Sequence, residues 1–484
     1  MEPIKIRTST TYFEVSLQHC SPFMGDAVSK FAFTRLTSFE FNPKHKKFDA
    51  KDTFYEYDYP KRLYTFPIGF LETFEDYLEE KNIDYKTSEV PAYTPRKIEV
   101  KMADSFKLKD EQKPLFEFIS ARFYTRRCLE LQAGKGKTAT SITAAVAMGK
   151  VTMVVVNGLC EQWISEIKQF TNSTNIYYIK GFDSIEELLD SDKYPEFIVC
   201  SLSTLRSYIQ HKGDYAKLPT YAEFLAKYGV GTKIVDEAHL NFHANTKIDL
   251  AGNVPTNIYL SATFSVAKST MKIFETIYPN EIRLGGETYE KYIHIFFYGY
   301  TSGIRDKCVL SKGYSHSRFE GIMLQKKHYF DHWMSTVMEP IINVHYINSE
   351  ARSAGKLLIL TNTTDFATEV FKRIRAEYRN KKCCTFFGGD DKAKLKNHDI
   401  IVSTPKSCGT GVDISNLRCC VNTESFKILS ATRQRPGRLR KIPGVELHYV
   451  DMVDVSNPSQ FRHWNDRSAE YKQIALKYRE ILVR

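Results

Sequence analysis

From about residue 104 to residue 455, the chain alternates short apolar runs with segments of helical periodicity. Continuous apolar runs rich in β-branched residues are typical of parallel strands that are buried on both faces. Their alternation with helices predicts right-handed βαβ units. The pattern therefore predicts an α/β protein with two parallel-sheet lobes, at about 104–281 and 282–455. The predicted strands are residues 152–156, 197–200, 233–235, 257–260, 357–360, 399–402 and 447–450.

The two ends of the chain have other patterns. Residues 1–95 contain alternating and aromatic segments that predict a small α+β domain, with a strand at 53–57 and a helix at 70–78. A polar, proline-bearing stretch at 86–97 predicts a linker to the first lobe. Apolar positions spaced along residues 456–484 predict a helical tail.

Composition narrows the class of protein. A chain of 484 residues with 42% hydrophobic and 13% aromatic content forms packed cores. No apolar run is long enough to cross a bilayer, and residues 1–10 lack the apolar segment of a signal peptide. Ten scattered cysteines without a C-x-x-C pair indicate a reduced, cytoplasmic protein and argue against a zinc site.

The net charge of +11 favours a polyanionic partner. The surplus is uneven, because residues 1–100 are near neutral while positive charge is dense around 372–382. Each basic run taken alone is equally typical of a solvated helix face.

A glycine-rich segment, residues 131–138, lies between a predicted strand and a predicted helix. That context is typical of a phosphate loop, in which backbone N–H groups and a helix N-terminus bind phosphate. Lys137 would add a point charge, and the Thr138 hydroxyl would ligate Mg²⁺. Leu131 stands where such loops usually have their first glycine, and a plain glycine-rich helix start is the alternative. The loop residues are Gly134, Lys135, Gly136, Lys137 and Thr138.

The segment Asp236-Glu237-Ala238-His239 directly follows an apolar strand. Asp236 is expected to hold Mg²⁺ through water, and Glu237 to polarise the attacking water as general base. A surface acidic pair is the alternative interpretation. His239 is expected to connect this site to the turn at 261–263.

A third group of candidates lies near the C-terminus, on a segment with helical character that contains Arg435, Arg438 and Arg440. The planar guanidinium of arginine is suited to clamping a γ-phosphate as charge develops on it. A basic helix that binds nucleic-acid phosphate is the alternative for this segment alone.

In this order and at this spacing, the motifs resemble those of superfamily 2 helicases over roughly residues 105–455. The resemblance implies two tandem RecA-like lobes that bind ATP and Mg²⁺ between them and act as an ATP-dependent helicase on nucleic acid. Gln112 matches the glutamine that reads adenine, and Gly411 with Asp413 matches the fifth motif. Gln434 and Arg438 match the sixth motif as catalytic residues.

The sixth motif departs from the usual form. Its second arginine normally follows the first by three residues, but Lys441 occupies that place and Arg440 comes one position early. Which of the two acts as the second arginine finger stays open at this stage. Leu159, Gln162 and Trp163 fit motif Ia, with Asn157-Gly158 in place of the common Pro-Thr.

The same resemblance suggests contacts to the nucleic-acid backbone. Thr204 lies in motif Ib, and Thr404 is a corresponding candidate in the second lobe; both hydroxyls are predicted phosphate ligands. Motors of this kind contact phosphates rather than base edges, which predicts little sequence preference and a steep dependence on salt.

Short patches at 41–44, 57–59 and 66–70 resemble the N-terminal domain of the UvsW-type branch-migrating helicases of phages. This resemblance implies a phage-encoded helicase that unwinds or branch-migrates forked and four-way DNA in replication, recombination or repair. Lys44, Lys46 and Lys47 would then contact duplex phosphate. A structural appendage on the first lobe is the alternative for this domain.

Two other functions stay open at the level of sequence. An RNA helicase, or an ATPase that remodels RNA–DNA hybrids, fits the Asp-Glu-Ala-His sequence equally well. A nucleic-acid-binding protein with a decayed ATPase is disfavoured by the intact motif residues.

We expect a monomer in the cytoplasm of the cell that makes it, without membrane contact. Residues 300–335 combine basic and aromatic positions and predict either a strand-separating element or a lobe connection.

Overall fold

The structure is a computed structural model of the full chain. It divides into two compact units, Met1–Gly286 and Glu287–Arg484. Among the described residues, no helix has both the length and the apolar character that a membrane crossing requires. The structure describes all residues except 1, 43–44, 122–124, 133, 159, 211–217, 263, 265, 286–289, 305–307, 311–312, 349–354, 392, 409–411, 413, 427–428 and 484.

The first unit begins with a small mixed sheet of order β5-β6-β2-β1-β7, in which only the β1–β7 pair is parallel. A separate hairpin, β3–β4, extends from it. The sheet packs on two helices through aromatic rings, among them Phe13, Phe31, Phe66 and Phe74. The elements are β1 Ile4–Thr8, β2 Tyr12–Ser16, α1 Pro22–Arg35, β3 Thr37–Asn42, β4 Lys47–Thr53, β5 Glu56–Asp58, β6 Leu63–Pro67, α2 Leu71–Glu80 and β7 Tyr85–Glu89.

This domain confirms the predicted α+β character and the helix near 70–78, with two local corrections. The predicted strand at 53–57 is interrupted, because β4 ends at Thr53 and β5 begins at Glu56. The predicted linker at 86–97 begins within a strand, since β7 pairs in parallel with β1 from Tyr85 to Glu89.

The first lobe is a seven-stranded parallel sheet of order β10-β11-β9-β12-β13-β8-β14. Its central strands are buried along their whole length, as the apolar runs predicted. The elements are α3 Lys113–Ser120, β8 Arg126–Glu130, α4 Lys137–Met148, β9 Val151–Val156, α5 Cys160–Phe170, β10 Ile176–Ile179, α6 Phe182–Asp190, β11 Phe197–Ser201, α7 Leu202–Gln210, α8 Tyr221–Tyr228, β12 Val230–Val235, α9 Phe242–Ala251, β13 Thr256–Ser261, α10 Met271–Ile277 and β14 Arg283–Gly285.

The N-terminal domain packs against α9, the helix that follows the Asp-Glu-Ala-His segment. The Thr11 hydroxyl donates to the carbonyl oxygen of Asp249 at 2.9 Å. The ring of Phe54 is buried, with its centroid 5.0 Å from that of Phe242. The domain and the first lobe therefore share one continuous hydrophobic core.

The second unit is built on another seven-stranded parallel sheet, of order β19-β20-β18-β21-β22-β15-β23. Two π-helical turns, Met334–Met338 and Asn343–Ile347, flank α13. The elements are β15 Ile293–Tyr300, β16 Val309–Leu310, β17 Gly313–Tyr314, α11 His316–Gln325, α12 Lys327–Trp333, α13 Glu339–Ile342, β18 Lys356–Leu360, α14 Thr364–Glu377, β19 Cys383–Phe386, α15 Ala393–Asn397, β20 Ile400–Ser403, β21 Leu417–Asn422, α16 Leu429–Gln434, β22 Leu447–Asp454, α17 Pro458–Ile474 and β23 Lys477–Leu482.

The prediction of a wholly helical tail at 456–484 is wrong in its second half. α17 ends at Ile474, and the chain then forms β23, which pairs in parallel with β15 at the edge of the sheet. Hydrogen bonds along an open strand edge outweigh the helical spacing of the apolar residues here.

The predicted helical segment of the sixth motif is also broken, since α16 ends at Gln434 and the turn Pro436–Arg438 is a 3₁₀ helix. Pro436 lacks the N–H group that an α-helix would need at that point.

Candidate nucleotide and nucleic-acid sites

The predicted phosphate loop connects β8 to α4. Gly134 and Gly136 have φ angles of 87° and 83°, a left-handed conformation that glycine adopts without steric cost. α4 begins at Lys137, and Thr138 follows in its first turn. The loop therefore presents backbone N–H groups and a helix N-terminus to the space beyond the sheet, which is the arrangement that binds phosphate.

Gln112 lies directly against this loop. It is buried at the end of the 3₁₀ turn Asp110–Gln112, and its Oε1 accepts a 2.9 Å hydrogen bond from the Lys109 N–H. A Cβ atom placed on Gly136 would lie 1.8 Å from Gln112 Nε2. The family resemblance predicts that Gln112 and Gly136 bind the same nucleotide, and in the structure these two residues are in contact.

Asp236 and Glu237 follow the carboxyl end of β12, and β13 lies between that strand and β8. Lys137 Nζ reaches across this edge to Glu237 Oε1 at 3.3 Å, and both side chains are nearly buried. Glu237 itself has a φ of 50°. Non-glycine residues held in this region cluster at functional sites, where the surrounding structure enforces the conformation.

The two adjacent carboxyls differ in acidity. Burial raises the pKa of Asp236, and the neighbouring Glu237 raises it further, to about 6. Burial acts in the same direction on Glu237, but the charge of Lys137, with the hydrogen bonds from Lys137 and the Ala262 N–H, outweighs it and lowers the pKa of that carboxyl. Glu237 is therefore ionised at neutral pH, whereas the charge on Asp236 is sensitive to its surroundings.

The sequence places Trp163 in motif Ia and Asn157 just before it, but it predicts no contact for either residue. Trp163 on α5 donates from Nε1 to Asp236 Oδ2 at 3.0 Å. Asn157, directly after β9, donates from Nδ2 to the carbonyl oxygens of Asp236 and Glu237 at 3.1 and 3.3 Å. A sequence signal for Asn157 existed, because polar residues after neighbouring parallel strands meet at one edge of the sheet.

The predicted connection through His239 is confirmed. Its Nδ1 lies 2.6 Å from the Ser261 hydroxyl at the end of β13, and 3.4 Å from Glu237 Oε2. Burial lowers the pKa of His239 to about 4, so the ring is neutral at neutral pH. Thr263 of the same turn lies outside the described residues.

In the second unit, the arginines of the sixth motif have different surroundings. Arg435 is buried over the ring of Phe426 and donates to Glu424 Oε2 at 2.5 Å. Arg438 is partly buried, and its Nε has no hydrogen-bond partner within the described part of the chain. Gln434 likewise has a buried Nε2 without a described partner. Arg438 and Gln434 can therefore still form a hydrogen bond with a ligand, whereas Arg435 is already paired with Glu424.

Arg440 and Lys441, the two candidates for the second arginine finger, form different contacts. Arg440 donates from Nη1 to the carbonyl oxygen of Gly437 at 3.0 Å. Lys441 forms an ion pair with Glu290 at the surface. The predicted nucleotide ligands Gly411 and Asp413 lie outside the described residues.

The predicted phosphate ligands Thr204 and Thr404 are both engaged in local hydrogen bonds. Thr204 Oγ1 lies 2.8 Å from Ser201 Oγ at the start of α7 and is half-buried. Thr404 is buried and donates to Ser407 Oγ at 2.9 Å. A phosphate contact through Thr404 would require this turn to open, and both assignments stay predictions.

Two of the lysines predicted in the N-terminal domain, Lys46 and Lys47, belong to the β3–β4 hairpin. Lys46 and Lys47 are exposed at its turn, and Lys44 lies outside the described residues. Phe41 and Phe48 lie beside them, 51% and 67% exposed, with ring centroids 5.4 Å apart. The hairpin thus presents both positive charge and uncovered aromatic rings.

Comparison with known proteins identifies the fold. No protein-family profile matches the chain, and no curated protein matches it. Among solved structures, T4 UvsW is 17% identical, with full coverage of both chains and a TM-score of 0.38. S. cerevisiae Dbp5 bound to RNA and ADP BeF3 is 13% identical, with a TM-score of 0.52 over 78% of this chain and 90% of that one.

A third similar structure is the ATP-dependent Type ISP restriction-modification enzyme LlaBIII bound to DNA. It is 13% identical, with a TM-score of 0.51 over 85% of this chain and 34% of that chain, so the match spans about a third of that enzyme. Identities at this level show the fold alone. The chain therefore shares the fold of these structures, with two RecA-like parallel-sheet lobes and a mixed-sheet N-terminal domain.

Proposed function

We propose that the protein is an ATP-dependent DNA helicase or translocase that unwinds or branch-migrates forked and four-way DNA. The observation that carries the proposal is the 3.3 Å contact between Lys137 and Glu237, which joins the phosphate loop to the acidic segment. A phosphate-binding lysine and an ionised general base at one sheet edge are the two groups that hydrolysis of a nucleoside triphosphate needs.

The residues of the first lobe fit ATP and Mg²⁺. Gly134, Lys135 and Gly136 would cradle the phosphates with backbone N–H groups, and Gln112 would bind adenine. The Thr138 hydroxyl and the Asp236 carboxylate are oxygen donors, which Mg²⁺ prefers. The ion would supply charge neutralisation between the β- and γ-phosphates. Glu237 would accept a proton from the attacking water.

Arg438 is proposed as the arginine finger, with Gln434 beside it in the motif. A guanidinium that lacks a described partner at its Nε is available to bind phosphate oxygens, whereas Arg435 is already occupied by Glu424. Arg440 rather than Lys441 is proposed as the second finger, because the ammonium group of Lys441 pairs with Glu290. Gly411 and Asp413 are proposed nucleotide ligands on the family resemblance alone.

The nucleic-acid contacts are proposed at two places. Thr204 and Thr404 would bind strand phosphates, and Lys44, Lys46 and Lys47 of the N-terminal domain would contact duplex phosphate. The exposed rings of Phe41 and Phe48 favour a role for the hairpin at a fork, because unpaired bases stack on such rings. The preference for branched DNA in replication, recombination or repair, and a phage origin, rest on the sequence resemblance of the N-terminal domain.

An RNA-dependent ATPase is the second candidate. Dbp5 is bound to RNA in its structure and LlaBIII is bound to DNA, and both proteins have this fold. The ATP-site residues are the same under either proposal. The two proposals differ in whether RNA or DNA stimulates ATP hydrolysis, and this difference is what the experiment measures.

The test is ATP hydrolysis by the purified protein with single-stranded DNA, duplex DNA, a four-way junction or structured RNA, at equal nucleotide concentration. Lys137→Ala is the control for contaminating ATPases. Stimulation that is strongest with the junction supports the proposal. Stimulation by RNA alone would move the protein to RNA remodelling, and no hydrolysis under any condition would leave only a binding function.

A further inference from the structure

A cluster of histidine and glutamate side chains lies at the amino-terminal ends of β15 and β22. His294 and His448 are direct register partners on these parallel strands, and their rings stack with centroids 5.8 Å apart. Glu446 precedes β22, and its carboxylate lies within 4 Å of both rings. The motif residues follow the carboxyl ends of strands, so the ATP motor does not account for this cluster.

The three side chains bring their ligand atoms close together. Glu446 Oε2 lies 3.5 Å from His448 Nε2 and 3.9 Å from His294 Nδ1. One ligand atom from each residue falls within 4.8 Å of the other two. Tetrahedral zinc with bonds of about 2.0–2.1 Å to nitrogen and oxygen separates its ligands by roughly 3.4 Å. Rotation of the exposed Glu446 side chain would bring its carboxylate to that separation from both histidine nitrogens.

His448 also has an outer hydrogen-bond partner. Its Nδ1 lies 3.1 Å from His345 Nδ1, and His345 Nε2 lies 2.7 Å from the Tyr298 hydroxyl. His448 Nε2 is buried and has no hydrogen-bond partner among the described residues. Metal-binding histidines typically donate their second ring N–H to such a partner, which orients the ring.

We propose that His294, Glu446 and His448 bind a divalent transition-metal ion of the zinc class, with His345 as the positioning residue for His448. The fourth position would take a water molecule. The ion would fasten the turn before β22 to β15, which carries β23 on its other side. The proposal is independent of the proposed ATPase, because none of these residues belongs to the nucleotide site.

No sequence motif indicates this cluster, since the absence of C-x-x-C pairs only argues against a cysteine site. His294 and His448 are far apart in the chain, and the sheet register alone brings them together. All ten cysteines are in the thiol form rather than in disulfides, and each is buried or half-buried. They are the competing ligands that the test has to separate from the proposed site.

The test uses full-length protein, stripped with a chelator and then titrated with Zn²⁺ against a chromophoric chelator. We expect one tight site per chain. His448→Ala should abolish it, and His345→Gln should weaken it by about 10–100-fold. His332→Ala, an exposed histidine on α12, is the matched control and should bind normally.

Glu446→Gln decides the result if the buried histidine variants fail to fold, because the Glu446 side chain is 69% exposed. This variant should lose affinity at least tenfold and keep its nucleic-acid-stimulated ATPase. Co²⁺ substitution should give d–d bands without thiolate charge-transfer bands. Unchanged zinc binding in Glu446→Gln, no tight site in the wild type, or thiolate bands from Co²⁺ would each overturn the proposal.

Discussion

The indole N–H of Trp163 donates a 3.0 Å hydrogen bond to Oδ2 of Asp236, although 73 positions separate the two residues. The bond connects α5 to the end of β12 and fixes the orientation of the carboxylate. It also stabilises the charged form of a carboxyl whose pKa is raised to about 6 by burial and by Glu237. Trp163 therefore acts on the proposed Mg²⁺ ligand as a positioning residue.

Trp163→Phe removes this donor and keeps most of the ring. A hydrogen bond to a charged group contributes about 1.5–3 kcal/mol, so we expect a loss of ATPase activity of about 10–100-fold. Losing a partner of the charged form raises the pKa of Asp236 further. The acid limb of the pH–rate profile should thus move to higher pH, and the relative deficit should grow as the pH falls to the wild-type pKa of about 6 and below.

The measurement is ATP turnover across pH at saturating nucleic acid. Trp333→Phe, a buried tryptophan of the second unit, controls for the general cost of removing an indole. An equal loss of activity at all pH values would mean that Trp163 is only a packing residue.

Glu237→Gln should bind ATP and fail to hydrolyse it. The amide cannot accept the proton of water, and loss of a general base typically lowers the rate by about 10²–10⁴. Burial and the φ of 50° are preserved by the isosteric side chain. Nucleotide binding by equilibrium dialysis and single-turnover hydrolysis test this together, with the exposed Glu161→Gln as control. Near-normal turnover in Glu237→Gln would assign the base to another residue.

The two arginines of the sixth motif should separate stability from catalysis. Arg435→Ala leaves Glu424 without its ion-pair partner, and breaking a buried pair costs about 3–5 kcal/mol. Arg438→Ala removes a side chain whose Nε has no described partner, so the melting temperature should change little. Its ATPase should instead fall by about 10³–10⁵ with nearly normal ATP binding. A stable but inactive Arg435→Ala variant, together with an unstable Arg438→Ala variant, would instead make Arg435 the arginine finger.

The sequence predicted the parallel strands well because apolar runs of β-branched residues fit few other environments. It also predicted Lys137, Asp236 and Glu237 as site residues, since each directly follows a strand or begins a helix in the right context. The motif Ia match gave no contact for Trp163, and the position of Asn157 after a strand indicated only the edge of the sheet at which it lies. The contacts of both residues depend on which strands are neighbours, and the order β9-β12-β13-β8 is a property of the whole sheet.

The C-terminal strand illustrates the opposite case. Lys477–Leu482 is mostly exposed and charged, so its own residues give little sign of a strand. It forms because β15 offers an open edge on which backbone groups can pair. Local spacing of Tyr471 and Ile474 correctly predicted α17, but it could not reveal where that helix would end.

The N-terminal domain is not a detachable module, and this changes how its role should be tested. Phe54 is 1% exposed and packs on Phe242 of α9, three residues after His239. Phe54→Ala should destabilise the first unit by about 3–5 kcal/mol, measured by denaturant unfolding. Deletion of residues 1–95 would uncover the same surface. Loss of ATPase in such a deletion therefore would not identify a catalytic role for the domain.

Point variants of the β3–β4 hairpin test DNA binding without this difficulty. Lys46 and Lys47 are exposed, and the ion pair of Lys47 with Asp49, at 3.4 Å, is a weak surface pair. The double variant Lys46→Ala/Lys47→Ala should weaken binding to a four-way junction. It should also reduce the slope of log affinity against log salt by up to about 2, since each phosphate contact contributes about 0.9.

Phe48→Ala distinguishes charge from stacking on the same hairpin. Base stacking on an aromatic ring contributes about 1–3 kcal/mol per base, and this contribution depends little on salt. We therefore expect weaker binding to forks with unpaired bases at an unchanged salt slope, while basal ATPase is retained. Lys30→Ala, an exposed lysine on α1, is the matched control for the lysine variants. Normal fork binding by both hairpin variants would exclude the hairpin as a DNA contact and leave the domain with a structural role on α9.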